Sequence, residues 1–479
     1  MSEIEPLKSL EELLGFERPV LCAVETLRPI KRGKPGDPKN LFCHDMACYQ
    51  EDRFIYGSHK PGSYNFHHWQ TIDTFVYCSD HMVTIPPPGW ITAAHKHGVK
   101  VLGTFMLEST EGAKAMNRIE NDGLVSRVAS QLALVATKYR FDGWFVRVAT
   151  RTDTGAENFV DKLLTAITKE MHHAVPGSAV ICQNSILQDG KLEPQSELND
   201  DNWCLFELCD GIVLNCRWDE SHLRKSAAMA GKRKGDIYAG VDVLARNTSY
   251  KGGYDMYKAV TIAREYGLSA AIFGAEWAYE QEDKTYFREN QCVLWALPDE
   301  CCSQWCITTL PLSTTFCQGF GASLYKQGLD VRSAPWFNLS RQQLQPRDQG
   351  RKLCGGGGSA MVHTLDSYAG GGCLCLEYDP KEAPGLRIVP YFRLFGFDLP
   401  LGSLCVSYTY KSKEQSCPAG HGINLVLKVK DDAGKTEELS LSSIITVAQG
   451  GNYIVERSVD SSAQGDQGIT ENGWLTRFV

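Results

Sequence analysis

The 479-residue sequence predicts an α/β fold, a (β/α)8 barrel followed by an all-β sandwich. Short apolar, β-rich runs recur eight times between residues 72 and 313, with starts 27 to 42 residues apart. Helical segments lie between them, and a β-run-then-helix unit repeated at this spacing is the pattern of a closed parallel barrel. From about residue 384 helical periodicity disappears and alternating β-runs take over, as in a sandwich.

Residues 1–40 read as a tail. It holds one short helix, SLEELLGF, with Ser9 as cap and Glu12 in its third position, and then the Lys/Pro/Gly-rich stretch RPIKRGKPGDPKN. Residues 41–345 make the barrel. Its β-runs are IDTFVYC (72–78), VKVLGTFM (99–106), FDGWFVRVA (141–149), SAVICQNS (178–185), CDGIVLNCRW (209–218), DIYAGVDVLA (236–245), LSAAIFGAEWAY (268–279) and WCITTLPLS (305–313). They are nearly continuous in apolar residues, as strands covered on both faces are. Helices are expected at VSRVASQLALVATKY, NFVDKLLTAITKEMHHA, ESHLRKSAAMAG and DMYKAVTIAREYG. In the second, Phe159, Leu163, Leu164, Ile167 and Met171 share one face. The rival is a doubly wound open sheet, but nothing like GxGxxG follows IDTFVYC. Residues 346–383 read as a linker, with GGGGS at 355–359 and AGGGC at 369–373, and residues 384–479 as the sandwich. At ordinary domain sizes the length fits two folded domains.

Composition narrows the function. Hydrophobic residues at 43% and charged residues at 22% are those of a globular protein. With 49 basic against 57 acidic residues the net charge is −8, which gives no bulk attraction for nucleic acid or anionic lipid. No run of 18 apolar residues suggests a membrane helix, and the acidic start MSEIEPLKSLEELLGFE does not resemble a secretory signal. The 18 cysteines are therefore expected reduced, in the cytosol, many as small hydrophobes such as Cys182 and Cys216. Cys43/Cys48, Cys301/Cys302/Cys306 and Cys373/Cys375 lack a zinc-site spacing, so no metal and no other cofactor is expected.

Barrel chemistry sits at the carboxy-terminal strand ends. Near them fall Trp90, Trp218, Trp277 and Tyr279, the amides Gln183, Asn184 and Asn215, and Asp242. Aromatics and amides together suit a carbohydrate, whose rings stack and whose hydroxyls hydrogen-bond; the competing reading is that the tryptophans fill gaps between strands and helices. A glycosidase also needs an acid and a nucleophile or base. Glu108, Asp219, Glu220, Asp242, Glu276 and Glu280 are the carboxylates near strand ends, each with a salt-bridge role as its alternative. The run FDGWFVRVA ends in Arg147, Val148 and Ala149 with no carboxylate, and Asp142 at its beginning reads as structural.

The segments LFCHDM (41–46), EDRFIYGS (51–58), HHWQTIDTFVY (67–77), VTIPPPGW (83–90), AHKHGVKVLGTF (94–105), FDGW (141–144), CDGIVLN (209–215) and AGVDVLAR (239–246), in this order and spacing, resemble the animal cytosolic endo-β-N-acetylglucosaminidases of glycoside hydrolase family 85. The resemblance spans roughly residues 40–320 and extends to the carboxy-terminal β region. It implies cleavage of the chitobiose core of N-glycans in the cytosol by a substrate-assisted mechanism. The sugar's acetamido oxygen attacks its own anomeric carbon, an asparagine holds that acetamide, and a glutamate two residues on is the general acid/base. After FDGW and an apolar pair, the asparagine position is Arg147 and the glutamate position is Ala149.

Alanine has no proton to give, and a guanidinium neither accepts a hydrogen bond nor loses its proton. The family's Tyr-Asp is Gln183-Asn184 here, its Asn-Tyr-Asn-Trp is Asn215-Cys216-Arg217-Trp218, a tryptophan after Glu108 is Ser109, and paired glycines before Tyr49 are Ala47-Cys48. These departures imply a catalysis-deficient relative that keeps N-glycan or free oligosaccharide binding through Trp90, Trp218, Trp277, Asn184, Asn215 and Asp242. Two alternatives stand beside it: an active hydrolase with a relocated acid, Glu276 or Glu108, and a protein-interaction scaffold without glycan binding.

Overall fold

The computed structural model describes residues 3–17, 23–45, 54–150, 159–184, 193–347, 358–378, 391–400, 402, 404–412, 425–431, 433–441 and 469–478. Eight parallel strands close into a barrel: β1 (Asn40–Asp45), β2 (Thr74–Cys78), β3 (Lys100–Glu108), β4 (Gly143–Ala149), β5 (Ala179–Asn184), β6 (Gly211–Val213), β7 (Ile237–Asp242) and β8 (Ser269–Phe273). Closure is the parallel pairing of β8 with β1, Ala270 opposite Asn40 through Phe273 opposite Cys43. Val83–Thr84 adds a short antiparallel edge to β3.

The barrel predicted from sequence is present, with its strands displaced by one. The run at 305–313 is not a barrel strand: only Trp305–Ile307 is extended, and it pairs antiparallel with Ile30–Arg32 outside the barrel. The missing strand is β1, whose short run LFCH follows the loop-like RPIKRGKPGDPKN and was not separable from it by periodicity. The four expected helices form at Val125–Tyr139, Phe159–Ala174, Glu220–Ala230 and Met256–Glu265. Helices at Pro88–Lys96 and Ser109–Asn121 were not anticipated. The first begins with Pro88, which suits the first helical turn although the surrounding prolines read as a loop.

Side-chain alternation divides the barrel into two cores. Leu41, Cys43, Val76, Leu102, Phe145, Ile181, Val213, Tyr238 and Ala271 fill the interior. Their neighbours, such as Phe42, Val101, Val146, Cys182 and Ile272, face the helices. The interior set fixes which residues emerge at the mouth: those two and four positions further along each strand.

The tail is docked on the barrel. Ser9 caps Leu10–Leu14 by accepting from the Glu12 N–H, and Leu10 and Leu13 are buried. Arg32 donates to the carbonyls of Gly98, Ile72, Trp69 and His97 and lies 3.8 Å from Asp73. Within the stretch expected as a linker, Gly358–His363 pairs antiparallel with Cys373–Tyr378, because alternating Ala360 and Val362 can be buried on one face. Beyond it, Ser407–Tyr410, Trp474–Phe478 and Ile469–Glu471 form one antiparallel sheet and Leu425–Lys430 with Thr436–Leu441 another. The expected run NYIVERSV lies outside the described residues.

Candidate active site

The inner face of β4 carries Phe145, Arg147 and Ala149 in turn, while Val146 and Val148 pack outward. Arg147 and Ala149 therefore stand at the carboxy-terminal mouth, facing the barrel axis. Arg147 is backbone neighbour to Met106 on β3 and Gln183 on β5, and Ala149 is opposite Glu108. Two residues beyond the interior Ile181, Gln183 shares this face. The Arg147 guanidinium forms an ion pair with Glu108, Nε to Oε1 2.6 Å, both side chains roughly one-third exposed (39% and 34%). The cation at the mouth is thus held by a neighbouring strand end. The next residue, Ser109, adopts φ 60, in the left-handed region that favours glycine, and its carbonyl accepts from Thr150 Oγ1 at 3.1 Å.

Glu276 is 3% exposed and is not turned to the mouth. Its Oε1 meets His44 Nδ1 at 2.6 Å and accepts the Asp45 N–H at 3.2 Å. His44 is fully buried, stacked on Tyr64 with centroids 5.0 Å apart. This carboxylate ties β1 to the segment after β8. Both carboxylates considered as relocated acids are thus already engaged within the protein.

Asp242 is buried at 5% exposure and accepts the Leu244 and Arg246 N–H groups and Arg246 Nε at 2.8 Å. The Asp242 carboxylate raises the pKa of Arg246 further. Asn215 Nδ2 donates to the Pro194 carbonyl, and its Oδ1 accepts from Ser196 Oγ and the Arg217 N–H. Cys216 approaches Gly240, and burial pushes its thiol up to about 12.

Two tryptophans expected at the cleft are elsewhere. Trp90 is fully buried, stacked on Phe75 with centroids 4.9 Å apart. Trp218 is 1% exposed, stacks on Tyr250 and donates Nε1–H to the Gly240 carbonyl at 2.7 Å. Both serve packing, the reading that competed with sugar stacking, because large apolar rings near strand ends also fill the gap under helices. Trp277 is half-buried, edge-on to Tyr254. Asp219 caps Glu220–Ala230 through the His222 N–H, and Glu220 accepts from Tyr266. The Asn184 side chain, Ser185, Ala47 and Cys48 lie outside the described residues.

One mouth residue was missed. Asp45 ends β1 with an exposed side chain, opposite Cys78 at the strand end expected for β2. The Cys78 thiol and burial together push the Cys43 thiol well above its ordinary range. Asp45 lies within LFCHDM, so the signal was present but was not recognised as a strand end.

Residues 48–324 match the family model described as Glycosyl hydrolase family 85. The chain belongs to this family. Family 85 relatives include the cytosolic endo-beta-N-acetylglucosaminidases of Gallus gallus, 40% identical over 383 residues (78% of this chain and 52% of the relative), and Danio rerio, 38% over 489 residues (98% and 67%). The Homo sapiens enzyme of the same name is 36% identical over 419 residues, 85% of this chain and 56% of the relative. The chain thus spans between about half and two thirds of the length of these relatives. The glycoside hydrolase domain of Endo-D from Streptococcus pneumoniae R6 superposes with a TM-score of 0.62 at 18% identity, covering 78% of this chain and 66% of that one, a likeness of fold. Among the described residues no helix is long and apolar enough to cross a membrane.

Proposed function

We propose that this family 85 chain is a catalysis-deficient endo-β-N-acetylglucosaminidase relative that binds N-glycans or free oligosaccharides at the barrel mouth. What carries the reading is the pair Arg147 and Ala149 on the inner face of β4, at the strand end where barrel enzymes hold their chemistry. General acid/base catalysis typically supplies ~10²–10⁴-fold, and a methyl group at 149 supplies none of it. Arg147 adds a fixed positive charge beside the position where an oxocarbenium ion would develop, which is the wrong sign for stabilisation. The engagement of Glu276 with His44, and of Glu108 with Arg147, supports deficiency over a relocated acid.

The glycan-binding half rests on fewer groups than the sequence suggested. With Trp90 and Trp218 in the core, Trp277, Gln183 and Asn215 are partly exposed side chains that could meet a sugar, with Arg147 and Glu108 as polar partners. The relatives are cytosolic enzymes by name, which supports action in the cytosol.

The test is incubation of the unmodified protein with a high-mannose glycopeptide, scoring cleavage and binding together. We expect no cleavage above background and weak, saturable binding. Robust cleavage overturns the deficiency, and Glu276→Gln and Glu108→Gln then locate the acid. Neither cleavage nor binding favours an interaction scaffold.

A further inference from the structure

On the amino-terminal side of the barrel, away from the mouth, three potential ligands converge that cysteine spacing did not reveal. His67 and His68 precede β2, and Cys292 lies on the helix Phe287–Leu294 that follows the barrel. One ligand atom from each, a ring nitrogen or the sulfur, lies within 4.8 Å of the other two. Tetrahedral zinc, with bonds of ~2.0 Å to nitrogen and ~2.3 Å to sulfur, places its ligand atoms roughly 3.3–3.8 Å apart. Side-chain rotation of about 1 Å closes the difference.

His67 supplies the independent observation. It is 1% exposed, its Nε2 has no hydrogen-bond partner, and its Nδ1 lies 3.5 Å from Asn65 Oδ1. A buried ring nitrogen left unsatisfied costs free energy and calls for a partner. Donating Nδ1–H towards Asn65 leaves Nε2 with its lone pair, the arrangement in which metal-binding histidines are commonly held. A cavity of about 20 Å³ adjoins the cluster, lined by His68 and Cys292 and also by Trp295, Asp299 and Cys302. That volume holds one water, which would complete four-coordination.

We propose that His67, His68 and Cys292 form a zinc site, with a water in the adjoining cavity as fourth ligand. Two imidazoles and a thiolate suit a borderline-soft d¹⁰ cation better than magnesium or calcium, which prefer oxygen. On binding, the Cys292 thiol gives its proton to solvent and the sulfur–zinc bond forms. The site joins the segment entering β2 to a helix more than two hundred residues later, so its role is that of a cross-link in the scaffold.

The test uses the full chain, reduced, stripped with chelator and then reloaded. Wild type should take up one zinc per chain and melt at a higher temperature with zinc than without. Cobalt in its place should give an intense thiolate-to-cobalt charge-transfer band. Cys292→Ser should abolish that band and weaken zinc binding at least tenfold, whereas Cys204→Ser should leave both unchanged. If Cys292→Ser does not fold, the wild-type cobalt spectrum decides alone. No zinc retained at micromolar free metal, a cobalt spectrum without the band, or zinc binding insensitive to Cys292→Ser each overturns the proposal.

Discussion

Position 149 presents a methyl group to the barrel axis, directly opposite Glu108 on β3 and two residues from a cation paired with that same glutamate. On the proposed catalysis-deficient reading, this geometry decides how cleavage would be gained by substitution. Ala149→Glu alone places a new carboxylate within the field of Arg147, which lowers its pKa when an acid catalyst needs it raised. We expect little or no gain in glycopeptide cleavage. The double change Arg147→Asn with Ala149→Glu removes the cation and leaves Glu108 opposite the new acid. A like charge raises that acid's pKa, so the double variant should cleave measurably, though below the family's active members because Gln183, Cys216 and Arg217 remain. The cost in stability should be small. An ion pair about one-third exposed is worth ~0–1 kcal/mol, so the melting temperature of Arg147→Asn should fall by only a few degrees.

At the level of the element, β4 depends on Gly143. Its φ is +148°, and a Cβ there would stand 1.9 Å from the Ala179 carbonyl oxygen. The β4–β5 pairing therefore begins with a backbone contact only glycine permits. Gly143→Ala should cost about 3 kcal/mol or more, from backbone strain plus displacement of the neighbouring strand, measured by denaturant unfolding. Elements of this kind also show what the sequence could tell. β2 to β8 and the four amphipathic helices were legible because apolar runs at barrel spacing have few alternative folds. β1 was not, since six residues after a Pro/Gly-rich loop carry too little periodicity. At the site, the inward direction of Arg147 and Ala149 follows from alternation along β4, so it was readable from FDGWFVRVA once the strand was recognised. The burial of Trp90 and Trp218 was not, because whether a ring near a strand end points outward under a helix or inward to the mouth depends on tertiary packing. Glu276 likewise resembled a mouth carboxylate until its partner, His44, came from a strand the sequence had hidden.

Across the whole molecule, Arg32 anchors the amino-terminal segment to the barrel floor. Its guanidinium is nearly buried and serves four carbonyls. Arg32→Ala removes a charged donor from all four carbonyls and the nearby cation from Asp73, which still accepts the Asn40 N–H, and we expect a loss of ~3–5 kcal/mol in unfolding free energy. Two buried histidines give stability opposite pH trends. Burial would lower the pKa of His95, but the Asp142 carboxylate 2.8 Å from its Nε2 outweighs burial and holds it above the usual value of 6.5. Its contribution is present below about 6.5 and is lost as pH rises through the raised value. Burial depresses His97 to about 3, with Nδ1–H donated to the Ala93 carbonyl and Nε2 accepting the Gln345 N–H. Its contribution is present above about 6.5 and is lost as pH falls towards 3. His97→Gln should therefore flatten the acid limb of a stability–pH curve between about pH 4 and pH 6, by about 1.4 kcal/mol per pH unit.

The closing pair of the barrel also sets a timetable for synthesis. β1 leaves the ribosome before the other barrel strands, and its second neighbour, β8, lies some 230 residues further on. At translation speeds of ~5–20 residues per second, one edge of β1 waits roughly ten to fifty seconds for its partner. Throughout that interval the nascent chain displays a row of unsatisfied amides and carbonyls beside the apolar residues Leu41, Phe42 and Cys43, a surface on which chaperone capture and misassembly between neighbouring polysomal chains would compete.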